Sequence, residues 1–218
     1  YPEKIIECGI AEQNMMGIAT GLASEGNNVI TTTFAPFQTM RCCEQIKVNL
    51  GYMNQNVTMV GLASGVVQGM LGYTHSCIED LSIMRSIPGI TVLSPADCTE
   101  TAKAINAALE HNGPVYIRLT GGSSNPSVYK DDYDYKIGKA INLKKGDDVA
   151  LIATGTMVYV CLEVANELEE QGISTAVIDM HTIKPIDSEM VKAICDYAKL
   201  VVTVEEHSVV GGLGSAVS

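Results

Sequence analysis

Short runs of β-branched residues alternate with longer amphipathic segments along this chain, and this alternation constrains the fold more than any other feature. In the N-terminal part the strands are predicted at residues 29–33, 57–62, 90–93 and 115–119. The helices between them are predicted at residues 11–24, 39–50, 79–86 and 98–111. Strands that alternate with helices favour a parallel sheet covered on both faces.

A stretch rich in Gly, Ser, Asn and Pro interrupts this pattern from Gly121 onward. Beyond it, strands are predicted at residues 136–142, 149–153, 175–179 and 200–205. Helices are predicted at residues 157–171, 188–197 and 211–218. We therefore expect two α/β domains with parallel or mixed sheets, at 1–125 and 136–218, joined by a linker at 126–135.

Charge and composition exclude several classes of partner. The chain carries 14 Lys and Arg against 25 Asp and Glu, a net charge of −11 with no basic cluster, so we expect no nucleic-acid partner. No apolar run reaches the roughly 18 residues of a membrane span, and we expect no membrane association. The seven cysteines are odd in number and form no CxxC pair, which argues against disulfides and structural zinc. A reduced, cytoplasmic location is predicted.

Four side chains are candidates for chemistry. Glu12 lies in the first turn of a helix rich in Ala, Gly and Met, where it is either a helix-dipole carboxylate or a buried acid that shares a proton with a basic ring nitrogen. Phe34 and Phe37 follow the first predicted strand, and His75 lies in a Gly-rich loop after the second. Each is commonly a core residue, but the carboxyl ends of parallel strands share one sheet edge, so we expect the four to converge.

The turn Gly211-Gly212-Leu213-Gly214 is a weaker candidate. A strand, a Gly-rich turn and a helix start can cradle a phosphate, which makes a nicotinamide-cofactor enzyme one alternative. The glycines do not match the full dinucleotide fingerprint, however, and close helix-strand packing is the other interpretation.

Several longer motifs resemble the transketolase family. Gly9-Ile10-Ala11-Glu12-Gln13-Asn14 and Thr33-Phe34-Ala35-Pro36-Phe37, followed by Thr74-His75, resemble its pyrimidine-binding domain. Ile178-Asp179-Met180-His181-Thr182 and Glu205-Glu206-His207 resemble its C-terminal domain. The resemblance runs along the whole chain and is most similar to the separate C-terminal subunits of split transketolases.

The resemblance implies a thiamine-diphosphate enzyme that transfers a two-carbon ketol unit between sugars or sugar phosphates. It assigns Glu12 to N1′ of the aminopyrimidine, with a raised pKa, and Phe34 and Phe37 to the packing around that ring. It assigns His75 to the hydroxyls of the donor sugar, and it places Arg118 near the substrate. It also implies that both domains are trimmed at their outer ends here.

The chain departs from the family pattern in three places. The Arg that commonly holds a sugar phosphate corresponds to about Gly121, and an acidic residue before the loop His is Leu71. No Gly-Asp-Gly motif of a diphosphate and magnesium site occurs, so we expect no metal ligand in this chain. Mg²⁺ and the diphosphate are then held by a partner subunit, in an α2β2 assembly in which this chain forms the homodimer.

Three alternatives stay open beside this hypothesis and the nicotinamide enzyme. The chain is a 2-oxoacid dehydrogenase β-type subunit, a portion of a deoxyxylulose-phosphate synthase, or a non-catalytic module of the same fold. The first two use the same cofactor on pyruvate rather than on a ketose.

Overall fold

The first sheet has five strands, and four of them come from the N-terminal part of the chain. The computed structural model describes residues 1–121 and 125–218. The strand order is β1-β2-β4-β3-β8. The strands are β1 (Val29–Phe34), β2 (Val57–Ser64), β3 (Thr91–Leu93), β4 (Val115–Thr120) and β8 (Thr182–Lys184). The first four are parallel, and β8 pairs antiparallel with β3. The predicted parallel sheet of the N-terminal part is therefore confirmed.

Helices cover both faces of this sheet. They are α1 (Glu12–Ser24), α2 (Ala35–Thr39), α3 (Cys43–Gln45), α4 (Asp80–Ser86) and α5 (Cys98–Glu110). Met59 and Tyr116 point into one core with Met16 of α1 and Met84 of α4. Their strand neighbours Val60, Val115 and Ile117 point the other way and pack against Ala104 and Ala108 of α5. Side chains of one strand alternate between faces, so strands covered on both sides read as continuous apolar runs.

The second sheet has four strands in the order β5-β7-β6-β9. These are β5 (Ile141–Lys144), β6 (Val149–Ala153), β7 (Thr175–Asp179) and β9 (Leu200–Val204). β6, β7 and β9 are parallel and β5 is antiparallel. The associated helices are α6 (Met157–Glu170), α7 (Ser188–Tyr197) and α8 (Leu213–Val217). The expectation of two α/β units with parallel or mixed sheets is confirmed.

Two predicted elements are wrong. No helix spans residues 39–50: α2 starts earlier because Pro36 fits a first helical turn. It then ends where the amides of Met40 and Arg41 share the Pro36 carbonyl oxygen, at 3.0 and 3.2 Å, and a π-helix follows at Ile46–Tyr52. The strand predicted at 136–142 forms only at Ile141–Lys144, because Gly138 turns the backbone at φ +84°.

The two units share a polar joint. Asp97 caps α5 by accepting from Glu100 N at 2.8 Å, and its other oxygen accepts from the amides of Val128 and Tyr129 at 2.7 and 2.9 Å. Tyr129 donates to Asp179 at the end of β7 at 2.6 Å. The predicted linker region is therefore bound to both units by buried hydrogen bonds.

Glu100 of α5 and Asp179 of β7 are each fully buried in this joint. Glu100 accepts from the amide of Ala96 at 2.7 Å and from the hydroxyl of Tyr133 at 3.1 Å. The Glu100 charge also raises the pKa of Asp179, although burial is the larger cause. In the described ranges 1–121 and 125–218, no helix combines the length and the apolarity needed to cross a membrane.

Candidate functional site

Three aromatic rings meet where β1 and β2 end. Phe34 is the last residue of β1, Phe37 lies one helical turn later, and His75 follows a short 3₁₀ helix at Gly72–Thr74. The ring centroids lie 6.0 Å apart for Phe34 and Phe37, 5.7 Å for Phe34 and His75, and 5.3 Å for Phe37 and His75, all edge to face. Each ring is half-buried. We call these three residues the aromatic cluster, and the structure places them together as the strand order predicts.

Glu12 joins this cluster through an arginine. It is the first residue of α1 and is 7% exposed. Arg41 Nη1 donates to Glu12 Oε2 at 2.7 Å, and the Arg41 guanidinium lies over the Phe37 ring, 4.1 Å from its centroid. A cation over an aromatic face is attracted by the ring quadrupole. Carboxylate, guanidinium and aromatic rings thus form one continuous site.

The environment of Glu12 differs from the one expected. Burial favours the neutral acid, but the hydrogen bond from Arg41, a backbone hydrogen bond of Glu12 itself and the Arg41 charge together lower the pKa of Glu12. The expectation of an unpaired acid with a raised pKa is therefore wrong for this chain, in which Glu12 is ionised at neutral pH. The second carboxylate oxygen lies outside the ion pair with Arg41.

Arg41 is the residue of the candidate site that the sequence analysis did not point to. It is the one cation between Val29 and Ile46 and follows Phe37 by four residues. That spacing brings two side chains to one face of a regular helix. The spacing from Phe37 to Arg41 therefore indicated a contact. It was overlooked because a helix was expected over residues 39–50, and such a helix would begin after Phe37.

Two cysteines near the site are not nucleophiles. Burial, with a smaller effect of the Glu12 charge, raises the pKa of Cys42 to about 11. Burial, with the nearby Asp80 charge, raises the pKa of Cys77 to about 12. Since the thiolate is the reactive form, both thiols act as small buried side chains.

Arg118 is bound by buried groups of the protein. It is on β4, 1% exposed, and its Nε donates to both oxygens of Asp80 at 3.1 and 2.9 Å. Its Nη2 donates to the carbonyl of Glu206 at 2.8 Å and lies 3.5 Å from that of Cys77. These hydrogen bonds occupy the Nε and Nη2 groups of Arg118, so these groups are not available to a substrate.

Three amides of the Gly-rich turn near the C-terminus already donate to side chains of this chain. Glu205 accepts from the amides of Leu213 and Gly214 at 2.7 and 2.9 Å, and Gly211 N donates to Ser215 Oγ at 2.9 Å. A protein carboxylate thus occupies the place at which a phosphate was considered. The nicotinamide alternative rested on this turn alone and loses its support.

Comparison with known proteins matches both halves of the chain to domains of one family. The family model for the transketolase pyrimidine-binding domain matches residues 1–125, and the model for the transketolase C-terminal domain matches residues 138–218. One relative is a subunit of the apulose-4-phosphate transketolase of Phocaeicola vulgatus. It is 40% identical over 99% of this chain and 69% of its own length. Another is the SqwH subunit of the 6-deoxy-6-sulfo-D-fructose transketolase of a Clostridium species, 43% identical over 99% of this chain and 66% of its own length.

A solved structure has the same fold. A split-gene transketolase described as an inactive β4 tetramer superposes with a TM-score of 0.92, at 41% identity, over 100% of this chain and 70% of that one. This chain thus spans about two thirds of the length of the relatives it matches. With two domain models matched in order and relatives at this level of identity, the chain belongs to the transketolase family.

Proposed function

We propose that this chain is one subunit of a thiamine-diphosphate-dependent transketolase that moves a two-carbon ketol unit between sugars. One observation carries the proposal: the carboxylate of Glu12 and the aromatic cluster of Phe34, Phe37 and His75 form one site, linked through Arg41. Membership of the transketolase family supports the cofactor.

The residues of the site fit the aminopyrimidine of this cofactor. Two half-buried Phe rings offer apolar surface to a flat heteroaromatic ring. Glu12 has a carboxylate oxygen outside its ion pair, and an ionised carboxylate favours a protonated ring nitrogen. When bound, thiamine diphosphate supplies the nucleophilic thiazolium carbon and the electron sink for cleavage of the ketose. Glu12 holds the proton at the ring nitrogen, and the two Phe rings exclude water.

His75 is assigned to the donor sugar. Its Nδ1 lies 3.0 Å from Thr74 Oγ1, a contact that fixes the ring and leaves the opposite nitrogen, Nε2, for a hydroxyl group. The contacts with Phe34 and Phe37 hold the imidazole at the edge of the same site. The residue proposed to bind the substrate therefore lies beside the residues proposed to bind the cofactor.

The diphosphate and Mg²⁺ are held by a partner subunit in this proposal. The 218 residues contain no Gly-Asp-Gly motif, and the described part of the chain groups no three His, Cys, Asp or Glu side chains as a metal site. Large apolar side chains are open to solvent near the site, with Ile10 at 95%, Met70 at 102% and Tyr73 at 82% exposure. Such surfaces mark protein interfaces. We propose an α2β2 assembly in which two copies of this chain also contact each other.

The name of the related split-gene tetramer supports this division of labour, since that protein is described as an inactive assembly of β chains. The substrate is proposed to be a sugar or a charged sugar derivative, as the names of the two relatives indicate for those proteins. Gly121 directly follows β4 at the position of the usual phosphate-binding Arg, and Leu71 is 50% exposed. A phosphate or sulfonate group would therefore be bound by other residues, including those of the partner.

Reconstitution tests the proposal. The chain is mixed with its diphosphate-binding partner, thiamine diphosphate and Mg²⁺, and products are followed from a ketose with an aldose acceptor and, separately, from pyruvate. Ketol transfer by the mixture and by neither chain alone is expected. Turnover of pyruvate would instead support the dehydrogenase or synthase alternatives, and absence of cofactor binding would support a non-catalytic module.

Two variants locate the activity. Glu12→Gln removes the ionisable group and should lower turnover about a hundredfold or more, the usual scale for acid–base groups. Glu25→Gln is the matched control, because Glu25 follows the other end of α1 and is exposed. Near-normal turnover in Glu12→Gln would contradict the assignment.

A further inference from the structure

The loop that carries His75 is closed at its base by two residues. Gly65 and Cys77 exchange backbone hydrogen bonds of 2.7 and 2.8 Å, and residues 66–76 project from them. We call residues 66–76 the His75 loop and the pair Gly65 and Cys77 its neck. β2 has an irregular register before the neck, and Ala63 and Gly65 have positive φ values of 52° and 73°. This irregular end of β2 turns the chain out of the sheet and into the loop.

A glutamate of the C-terminal unit holds this neck. Glu206 Oε1 accepts from the amide of Val66 at 2.6 Å, across 140 residues of sequence. The carboxylate lies so close to Gly65 that a Cβ there would overlap it. Its other oxygen accepts from Thr156 Oγ1 at 3.4 Å, so the carboxylate bridges the two units.

Other contacts fix the backbone around Glu206. Its carbonyl oxygen accepts from Arg118 Nη2 at 2.8 Å, and Arg118 is in turn held by buried Asp80. The amide of Ser208 donates to the carbonyl of Ile78, next to the neck, at 2.9 Å. The buried ion pair thus anchors the segment 206–208, and that segment holds the neck on both of its strands.

We propose that Glu206 is a positioning residue for His75: its carboxylate fixes the neck of the His75 loop and so sets where the imidazole meets the donor sugar. This proposal rests on the proposed role of His75. It gives the C-terminal domain a part in donor binding. Arg118, which the resemblance placed near the substrate, acts in this account through Glu206.

Three variants of the full chain test the proposal, each assembled with the partner subunit. Glu206→Ala removes the acceptor, whereas Glu206→Gln retains an oxygen for Val66 N. Glu205→Gln is the matched control, because Glu205 bonds to Leu213 and Gly214 and not to the neck. Gly65→Ala is a further variant. The methyl group of the alanine would overlap the Glu206 carboxylate and so displace it while the glutamate itself is kept.

The first measurement is amide hydrogen exchange of residues 65–77, which does not depend on activity. In Glu206→Ala and Gly65→Ala, exchange there should become about tenfold faster, as expected when a stabilising contact of the loop is lost. Glu206→Gln should stay close to wild type, and Glu205→Gln should leave this segment unchanged. Equal exchange in Glu206→Ala and wild type overturns the proposal, as does an equal effect of Glu205→Gln.

The second measurement separates substrate from cofactor. Glu206→Ala should raise the KM for the donor ketose about fivefold, the scale of one hydrogen bond, and leave the dissociation constant of thiamine diphosphate unchanged. A variant that weakens cofactor and donor binding equally would show a general structural role and overturn the proposal. If the wild-type complex transfers no ketol unit, the proposed function fails, and the exchange experiment still decides whether Glu206 holds the loop.

Discussion

Replacing Glu100 with Gln isolates the effect of one buried carboxyl group on the stability of the joint between the two units. Glu100 and Asp179 are fully buried, the Glu100 charge acts on Asp179, and the Asp97 charge acts on Glu100. Burial is the main cause that raises the pKa of Glu100, from 4.5 to about 7. Burial also raises the pKa of Asp179, followed in size by the Glu100 charge. The pair therefore retains a proton in the folded protein that the unfolded chain releases.

The sign and size of the effect follow from proton linkage. Between pH 4.5 and about 7 the folded protein binds this proton and the unfolded chain does not, so stability falls as the pH rises through this range. One pKa unit is worth about 1.4 kcal/mol, so the loss from Glu100 is on the order of 3 kcal/mol. Carboxylates with lowered pKa values, such as Glu12, act in the opposite direction below pH 4.5 and do not cancel it.

Urea unfolding of the full chain at pH 5, 6, 7 and 8 measures this effect. The free energy of unfolding of wild type should decrease across this range. That of Glu100→Gln should decrease less, because Gln has no proton to release, whereas burial still raises the pKa of Asp179. Glu110→Gln is the matched control, since Glu110 is the exposed last residue of the same helix. Identical pH dependence in wild type and Glu100→Gln would refute the raised pKa of Glu100 in the folded protein.

Four further substitutions test the buried polar contacts and the site. Asp97→Ala removes the cap of α5 and three hydrogen bonds from the linker, and should lower the free energy of unfolding by about 2 kcal/mol or more, measured by urea titration. Arg118→Met leaves Asp80 buried without its partner and should cost about 3–5 kcal/mol, whereas Arg118→Met with Asp80→Asn should cost less than the single variant in the same titration. Arg41→Gln should raise the pKa of Glu12, because the hydrogen bond and charge that lower it are removed while burial remains, as an NMR titration of the labelled carboxyl group would show. An unchanged Glu12 titration would mean that Arg41 does not control this carboxylate.

The convergence of Phe34, Phe37 and His75 could be predicted because it follows from topology. Strands β1 and β2 are parallel neighbours, so the segments after them must emerge at one edge of the sheet. The positions of these residues relative to predicted strands were sufficient. No knowledge of side-chain packing was required.

The contacts of Glu12 could not be predicted in the same way. They depend on where α2 ends, and that end is set by two amides sharing the Pro36 carbonyl rather than by a pattern of apolar residues. The partners of Arg118 could not be predicted for a related reason. The side chain of a strand residue near a sheet edge points either toward the site or into the core. For Arg118 the direction depends on its ion pair with Asp80 of α4, which the sequence does not reveal.

The contacts of the joint between the two units could not be predicted from the sequence either. β8 is three residues long and lies in the C-terminal unit, yet it completes the first sheet. Segments this short carry no periodicity. The tyrosines of the linker lie in a composition typical of flexible chain, and only their hydrogen bonds to Glu100 and Asp179 show that the segment is fixed.

Exchange of the C2 proton of bound thiamine diphosphate with deuterium tests the central claim most directly, since it reports on activation of the cofactor before any sugar binds. It is measured by NMR after rapid acid quenching of the complex of this chain with its diphosphate-binding partner. We predict that the wild-type complex accelerates exchange over free cofactor and that Glu12→Gln lowers the rate about a hundredfold or more while the cofactor stays bound. An exchange rate in Glu12→Gln equal to that of wild type would contradict the account.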